Sequence, residues 1–230
     1  MIEDRVRIIS EIAGVVCRDD LGHPLRVGVD GVTASGKSTL AGELAQAVAG
    51  CGRPVVRLTM DGFHHHREHR YRRGRMSAKG YYEDAYNFAA LAQYVLVPLG
   101  PGGHRRYRTR VIDLASDERI KEPALEAPID AVLILDGSFL QRPELAGLWD
   151  HLIFVNTSLA VARSRGARRD ADRLGGQAAA GRAFDARYHA ASQIYLDTVR
   201  PAENATLIID NDDLARPRLR TPECLASSRS

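Results

Sequence analysis

Hydrophobic residues along this chain gather in short runs separated by longer mixed stretches. Five runs, Val27–Asp30, Val55–Met60, Ala131–Asp136, His151–Asn156 and Thr206–Asp210, are rich in Val, Ile and Leu and have the length of buried strands. An uninterrupted apolar run is what a strand covered on both faces requires. The pattern therefore predicts an α/β fold with three α/β/α layers around a mostly parallel sheet of about five strands. Ahead of the first run, Ile2, Val6, Ile9, Ala13 and Val16 recur at three- and four-residue spacing, which predicts an amphipathic helix within residues 1–20 on the outside of the sheet. Beyond Pro217 the period disappears, and residues 218–230 are expected to form a disordered tail.

Four of the runs end in an acid or are followed at once by one: Asp30, Asp61, Asp136 and Asp210 with Asn211. Ligands of open α/β sheets bind beyond the carboxyl ends of the strands, so these acids stand where chemistry is expected. Between the first run and the helix-forming stretch Leu40–Val48 lies Gly31-Val-Thr-Ala-Ser-Gly-Lys-Ser38, which fits G-x-x-x-x-G-K-[ST]. Strand before and helix after are the context that pattern needs to be a phosphate-binding P-loop. The backbone from Gly31 through Thr33, Ala34, Ser35 and Gly36 to Thr39 would then wrap a polyphosphate at a helix N-terminus. Lys37 would reach the β- and γ-phosphates, and Ser38 would take one position on Mg²⁺. ATP and Mg²⁺ are the implied ligands of a P-loop NTPase fold. Asp136 is the candidate second acid near the metal, directly or through water. Asp61 is the candidate base for an acceptor hydroxyl, and Asn211 is assigned to a loop beside the adenine.

With 230 residues and 44% hydrophobic content the chain supports one substantial core, and a single domain is expected. The N-terminus is charged and no apolar run approaches membrane-spanning length, so a cytoplasmic protein without a membrane partner is expected. Cys17, Cys51 and Cys224 have no metal or disulfide spacing and are expected to be inert. A net charge of +3 is too small to imply a polyanion partner for the whole chain, but basic residues cluster at 67–75, 104–110 and 163–173. His64, His65, His66 and His69 diverge too much for a metal cluster, and His64 is assigned to the acceptor pocket. The run Arg70-Tyr-Arg-Arg-Gly-Arg75 keeps an RNA-binding P-loop ATPase open as a reading of another class, although nucleic acid is not the expected partner. No Asn-Lys-x-Asp run supports a GTPase.

The P-loop, Asp61-Gly-Phe-His64, Arg70-Tyr-Arg-Arg-Gly-Arg75 with Gly80-Tyr-Tyr-Glu-Asp-Ala-Tyr-Asn87, and Leu135-Asp-Gly-Ser-Phe-Leu140 together resemble the phosphoribulokinase/uridine kinase superfamily, in particular bacterial uridine kinase-like proteins. The resemblance runs over about residues 25–217. It implies transfer of the γ-phosphoryl group of ATP to an alcohol of a small metabolite, uridine or cytidine at its 5′-hydroxyl, with Lys37, Asp61 and Arg169 in catalytic positions. It implies an acceptor-binding insertion with a small hairpin at 62–115, and a mobile lid at 163–176 bringing Arg165, Arg169 and Arg173 to the phosphates. Gly175-Gly176 would serve as a helix stop or a hinge. Acceptor contacts are assigned to Asp61, His64, Tyr81, Asp84 and Tyr107. Of these, Tyr107 stands for the base-contacting aromatic of uridine-cytidine kinases, while their ribose-binding acid is replaced near Tyr81, leaving Asp84 as the nearest carboxylate. Asp61-Gly-Phe, Arg73-Gly-Arg-Met76, Lys79-Gly80 and Tyr86-Asn87 also resemble bacterial pantothenate kinases, so an acidic acceptor or a sugar phosphate remains an alternative, with Arg106, Arg108 and Arg110 as its candidate contacts. The oligomeric state is left open.

Overall fold

The strand at the centre of the sheet, β1 (Leu25–Gly31), is buried at every position, as its apolar run requires. The computed structural model describes residues 2–222. The other strands are β2 (Val55–Thr59), β3 (Arg106–Tyr107), β4 (Leu125–Glu126), β5 (Val132–Gly137), β6 (His151–Asn156), β7 (Leu207–Asp210) and β8 (Arg218–Arg220). The main sheet has the order β2-β5-β1-β6-β7-β8, parallel except for β8, while β3 and β4 pair separately. All five expected strands are present.

Alternation along the strands divides two cores. Val27 and Val29 of β1, Val132 and Ile134 of β5 and Ile153 and Val155 of β6 face helices α1 (Ile2–Arg18) and α2 (Lys37–Gly50). Leu133 and Leu135 of β5 turn the other way, onto Met60, Phe63, Phe139 and Tyr195. On α1 the buried stripe is Ile8, Ile9, Ile12, Ala13 and Val16, whereas Val6 is 58% exposed. Val6 is thus corrected from a core to a surface position: at 3.6 residues per turn it falls beside the stripe that Ile9 and Ile12 define. The expected tail is also partly corrected. Arg218–Arg220 pairs antiparallel with β7, held by backbone bonds and by Arg220 Nη2 to Asp210 Oδ1 at 2.6 Å, interactions that need no apolar period. The rest of that tail from 223 on, including Cys224, lies outside the described residues.

One polar contact in the core was not legible beforehand. Arg26, 4% exposed in the middle of the sheet, donates from its backbone N–H, Nε and Nη2 to the carboxylate of Asp150, with the shortest bond at 2.7 Å. The pair clamps the start of β1 to the start of β6. Removing one partner of such a pair leaves a buried charge without its counterion, so Asp150→Ala should lower stability by about 3 kcal/mol in denaturant titration. Val6→Ala should change it by less than about 0.5 kcal/mol.

Candidate functional site

The loop after β1 owes its shape to neighbours from across the sheet. Gly31 and Gly36 have positive φ (153° and 100°), and a Cβ on either would meet Val155 O at 2.7 Å or Asn211 Nδ2 at 2.6 Å. Ala34 takes the left-handed conformation at φ 67°. The Ser35 carbonyl accepts hydrogen bonds from Thr157 Oγ1 (3.1 Å) and Asn211 Nδ2 (2.7 Å). Asn211, 1% exposed, is therefore a brace beneath the loop. The end of β7 delivers it there, a placement no local pattern encodes.

Two cavities meet at the loop. The larger, about 760 Å³, is lined by Thr33, Ala34, Lys37, Ser38, Asp61, His64, Tyr81 and Asp136 on one side and by Arg169, Arg173 and Tyr188 on the other. The second, about 580 Å³, shares Ala34, Lys37, Ser38 and Arg169 and adds Gly36, Thr39, Arg165, Arg168 and Leu214. Gly31 and Ser35 lie buried under the loop and line neither cavity.

Lys37 is 8% exposed, donates one hydrogen bond to Val32 O at 2.8 Å and makes no ion pair among the described residues. Burial pulls its pKa down to about 8, against the opposing pull of Asp30, Asp136 and Asp61. Asp30 at the end of β1 is fully buried, and burial raises its pKa above the usual aspartate value although Tyr195, Gly31 N–H and Gln141 all donate to it. Ser38 Oγ donates to Asp136 Oδ2, whose other oxygen pairs with Arg57 Nη2. Arg57 was not anticipated, since a strand arginine carries no motif.

Asp61 follows β2 with its side chain 66% exposed, and His64 Nε2 stands 3.5 Å from Asp61 Oδ1. His64 Nδ1–H donates to Ala85 O at 2.8 Å, which turns Nε2 toward the carboxylate, and its ring stacks on Tyr86 at 4.3 Å. The hydrogen bond from His64 lowers the pKa of Asp61, helped by the charges of Lys37 and Arg169. Asp61 is thus held ionised.

The three lid arginines separate. Arg165 donates to the carbonyls of Asn211 (2.9 Å) and Asp212 (2.7 Å) at the smaller cavity. Arg169 and Arg173 both pair with Asp170, at 3.0 and 3.2 Å. The helix Leu159–Arg169 lies against Phe184, whose ring would be 1.9 Å from a Cβ on Gly166. The backbone turns at Gly175 and Gly176, both at positive φ.

Two acceptor assignments are corrected. Tyr107, 8% exposed, points into the core from β3 and does not line the cavity, because strand alternation turns Arg106 outward and Tyr107 inward. Asp84, 1% exposed, is neutralised by Arg72 and Arg73 and also lies outside it. The hairpin arginines are equally remote. Arg108 lies over Tyr94 at 4.8 Å beside a separate cavity with Arg106, and Arg110 pairs with Glu122. In their place Tyr71, Arg75, Arg187 and Tyr188 enter the larger cavity. Of these only Tyr71 and Arg75 fell in a stretch whose composition drew attention.

No family model matches the chain. A uridine kinase of Alkaliphilus metalliredigens (strain QYMF) is 26% identical over 183 residues, covering 79% of this chain and 80% of that protein. The structure of a candidate uridine kinase from Bacillus stearothermophilus superimposes with a TM-score of 0.70 at 22% identity, over 91% of this chain and 99% of that one. A candidate fructose transport system kinase from Silicibacter sp. TM1040 gives 0.68 at 26% identity, over 82% and 94%. Sheet order, loop and likenesses together define a P-loop kinase with a three-layer α/β/α fold. Within that class the likenesses support the phosphoribulokinase/uridine kinase superfamily. Among the described residues no helix is long and apolar enough to cross a membrane, and no three His, Cys, Asp or Glu side chains form a metal cluster.

The pKa of Lys37 makes a directional statement. Between about pH 8 and pH 10.5 the unfolded chain keeps a proton that the folded chain has released, so the unfavourable contribution of this lysine fades as pH rises through that window. A triphosphate placed against it would restore the charge. Nucleotide binding near pH 8.5 should therefore take up a fraction of a proton, seen by calorimetry in buffers of different ionisation enthalpy, and Lys37→Ala should abolish that uptake.

Proposed function

We propose that the protein transfers the γ-phosphoryl group of ATP to a hydroxyl of a small metabolite. The observation that carries this is the meeting of Lys37, Ser38, Asp136, Asp61 and Arg169 around one cavity at the carboxyl ends of β1, β2 and β5. In this reading the loop amides and Lys37 hold the β- and γ-phosphates. Ser38 and Asp136 present only oxygen donors, one hydroxyl and one carboxylate, which suits Mg²⁺ because that ion fills its other positions with phosphate oxygens and water. Bound there, Mg²⁺ would supply charge neutralisation on the phosphates. Asp61 orients the acceptor hydroxyl and takes its proton as the new P–O bond forms, while ADP leaves. His64 fixes the carboxylate, and Arg169, reaching both cavities, meets the charge on the transferring group.

Uridine, rather than cytidine, is the acceptor that the likeness to the uridine kinase of Alkaliphilus metalliredigens supports. With Tyr107 and Asp84 outside the cavity, the base and ribose contacts assumed for that acceptor have no equivalent at those positions. A pantothenate-like acid or a sugar phosphate fits the same phosphoryl-transfer machinery. An RNA-binding ATPase is disfavoured by the placement of Arg70, Arg75 and Arg187 in the walls of the cavity with the loop, where a small molecule fits and a duplex does not.

Asp61→Asn keeps the shape and removes the proton acceptor. Turnover should fall by about two or more powers of ten while ATP affinity stays near normal, and a loss confined to ATP affinity would move the base elsewhere. Hydrogen exchange over residues 163–176 should slow when an ATP analogue and an accepted substrate bind together. Equal exchange with and without them would describe a permanently packed helix.

A further inference from the structure

Three guanidinium groups converge on a single ring in the larger cavity. The Cζ atoms of Arg70, Arg75 and Arg187 lie 5.1, 4.8 and 5.2 Å from the centroid of Tyr71, and Arg187 is also 5.0 Å from Tyr81. They come from separate pieces of chain: the short helix Arg67–Arg70, the turn that follows it, and the π-helical stretch Phe184–His189. Cation–π contact contributes about 0.5–2 kcal/mol per pair and does not by itself explain why three like charges share one place.

The local charges do not balance. The other arginines of the cavity wall, Arg169 and Arg173, both pair with Asp170, and nearby in the chain Arg72 and Arg73 pair with Asp84. Among the described residues Arg75 and Arg187 have no carboxylate partner, and Arg70 has only Asp117 at 3.6 Å. The Nε groups of Arg70 and Arg187 are buried without a hydrogen-bond acceptor. A buried charged donor left unpaired is costly, and that cost disappears when an anion supplies the acceptor oxygens. The phenol of Tyr71 reports the same field: burial raises its pKa, yet Arg187, Arg70 and Arg75 outweigh burial and hold it below the usual value.

We propose that Arg70, Arg75 and Arg187 form the binding site for an anionic group, phosphate or carboxylate, on the acceptor alcohol, an inference that rests on the kinase reading of this cavity. The three share the larger cavity with Lys37 and Ser38, and none of them lines the smaller cavity that continues past the loop toward Arg165. A wall of rings links the three to the proton acceptor. Arg187 lies over Tyr81, whose hydroxyl is 3.1 Å from that of Tyr86; Tyr86 stacks on His64, and His64 touches Asp61. An acceptor lying along this wall has its anion at the arginines and its hydroxyl at Asp61. A neutral nucleoside would leave the three guanidinium groups unmatched.

The first test uses the full-length protein saturated with Mg²⁺ and a non-hydrolysable ATP analogue, so that the loop is filled, and titrates inorganic phosphate and, separately, oxalate by calorimetry. At least one of the two should bind the loaded protein, and which of them does separates a phosphate from a carboxylate acceptor. Its affinity should fall about tenfold or more in Arg75→Gln and in Arg187→Gln, as loss of a charged hydrogen bond implies. Arg75 is exposed, so its variant should fold normally. No anion binding to the loaded protein, or equal affinity in wild type and both variants, overturns the proposal. The second test compares matched acceptors, ribose with ribose 5-phosphate and glycerol with glycerate, by ADP release, with uridine as a further neutral acceptor. The anionic member of a pair should be favoured about tenfold or more in kcat/KM, and its KM should rise with salt. Preference for a neutral acceptor overturns the anionic site and leaves the kinase reading standing. ATP consumption indifferent to Asp61→Asn would instead sink the kinase reading, and the titration of the loaded protein would still decide the anion site.

Discussion

Two hydrogen bonds to one carbonyl hold the site in shape. Thr157, just past β6, and Asn211, just past β7, both donate to Ser35 O, so the phosphate loop is tied to strands that enter the chain far downstream of it. This fixes the backbone of Ala34 in the left-handed region and presses Gly31 and Gly36 against Val155 and Asn211, where no Cβ fits. The lysine and serine that follow then emerge at the start of α2 with no freedom to turn elsewhere. Once that is set, parallel pairing of β1 with β5, and of β5 with β2, brings Asp136 to Ser38 and Asp61 to the rim of the same cavity. The sheet register, rather than any contact among the acids themselves, is what assembles the chemistry.

The charges around the cavity fall into two kinds. Those matched by a neighbour, such as Asp170 with Arg169 and Arg173, hold segments together. Those left unmatched face the cavity: Lys37, buried and depressed in pKa, and the cluster around Tyr71. In the proposed reaction Asp61, kept ionised by His64, would be a modest base. Phosphoryl transfer asks little of a base beyond orientation, because its loose transition state develops late demand for proton removal and depends chiefly on positioning and charge. An ionised, solvent-facing carboxylate fixed by an imidazole suits that task.

The sequence by itself determined the elements whose signal is local. Five apolar runs became five strands, the G-x-x-x-x-G-K-S spacing became a loop between strand and helix, and Asp61 and Asp136 stood at strand ends because a strand carries its last residue to the sheet's edge. Covering both faces of a strand, or turning a backbone around glycine, is decided by the residues at hand. What only the tertiary structure decided was which side chains meet. Tyr107 and Asp84 had the right chemistry for an acceptor, but strand alternation buried one and two arginines consumed the charge of the other. Asn211 could be read as a nucleotide contact, and the fold puts its amide under Ser35. Arg187 carries no motif and reaches Tyr71 only because the π-helical stretch Phe184–His189 brings it over that ring. Such meetings depend on the distance between segments after the sheet has closed, and no pattern along the chain records that distance.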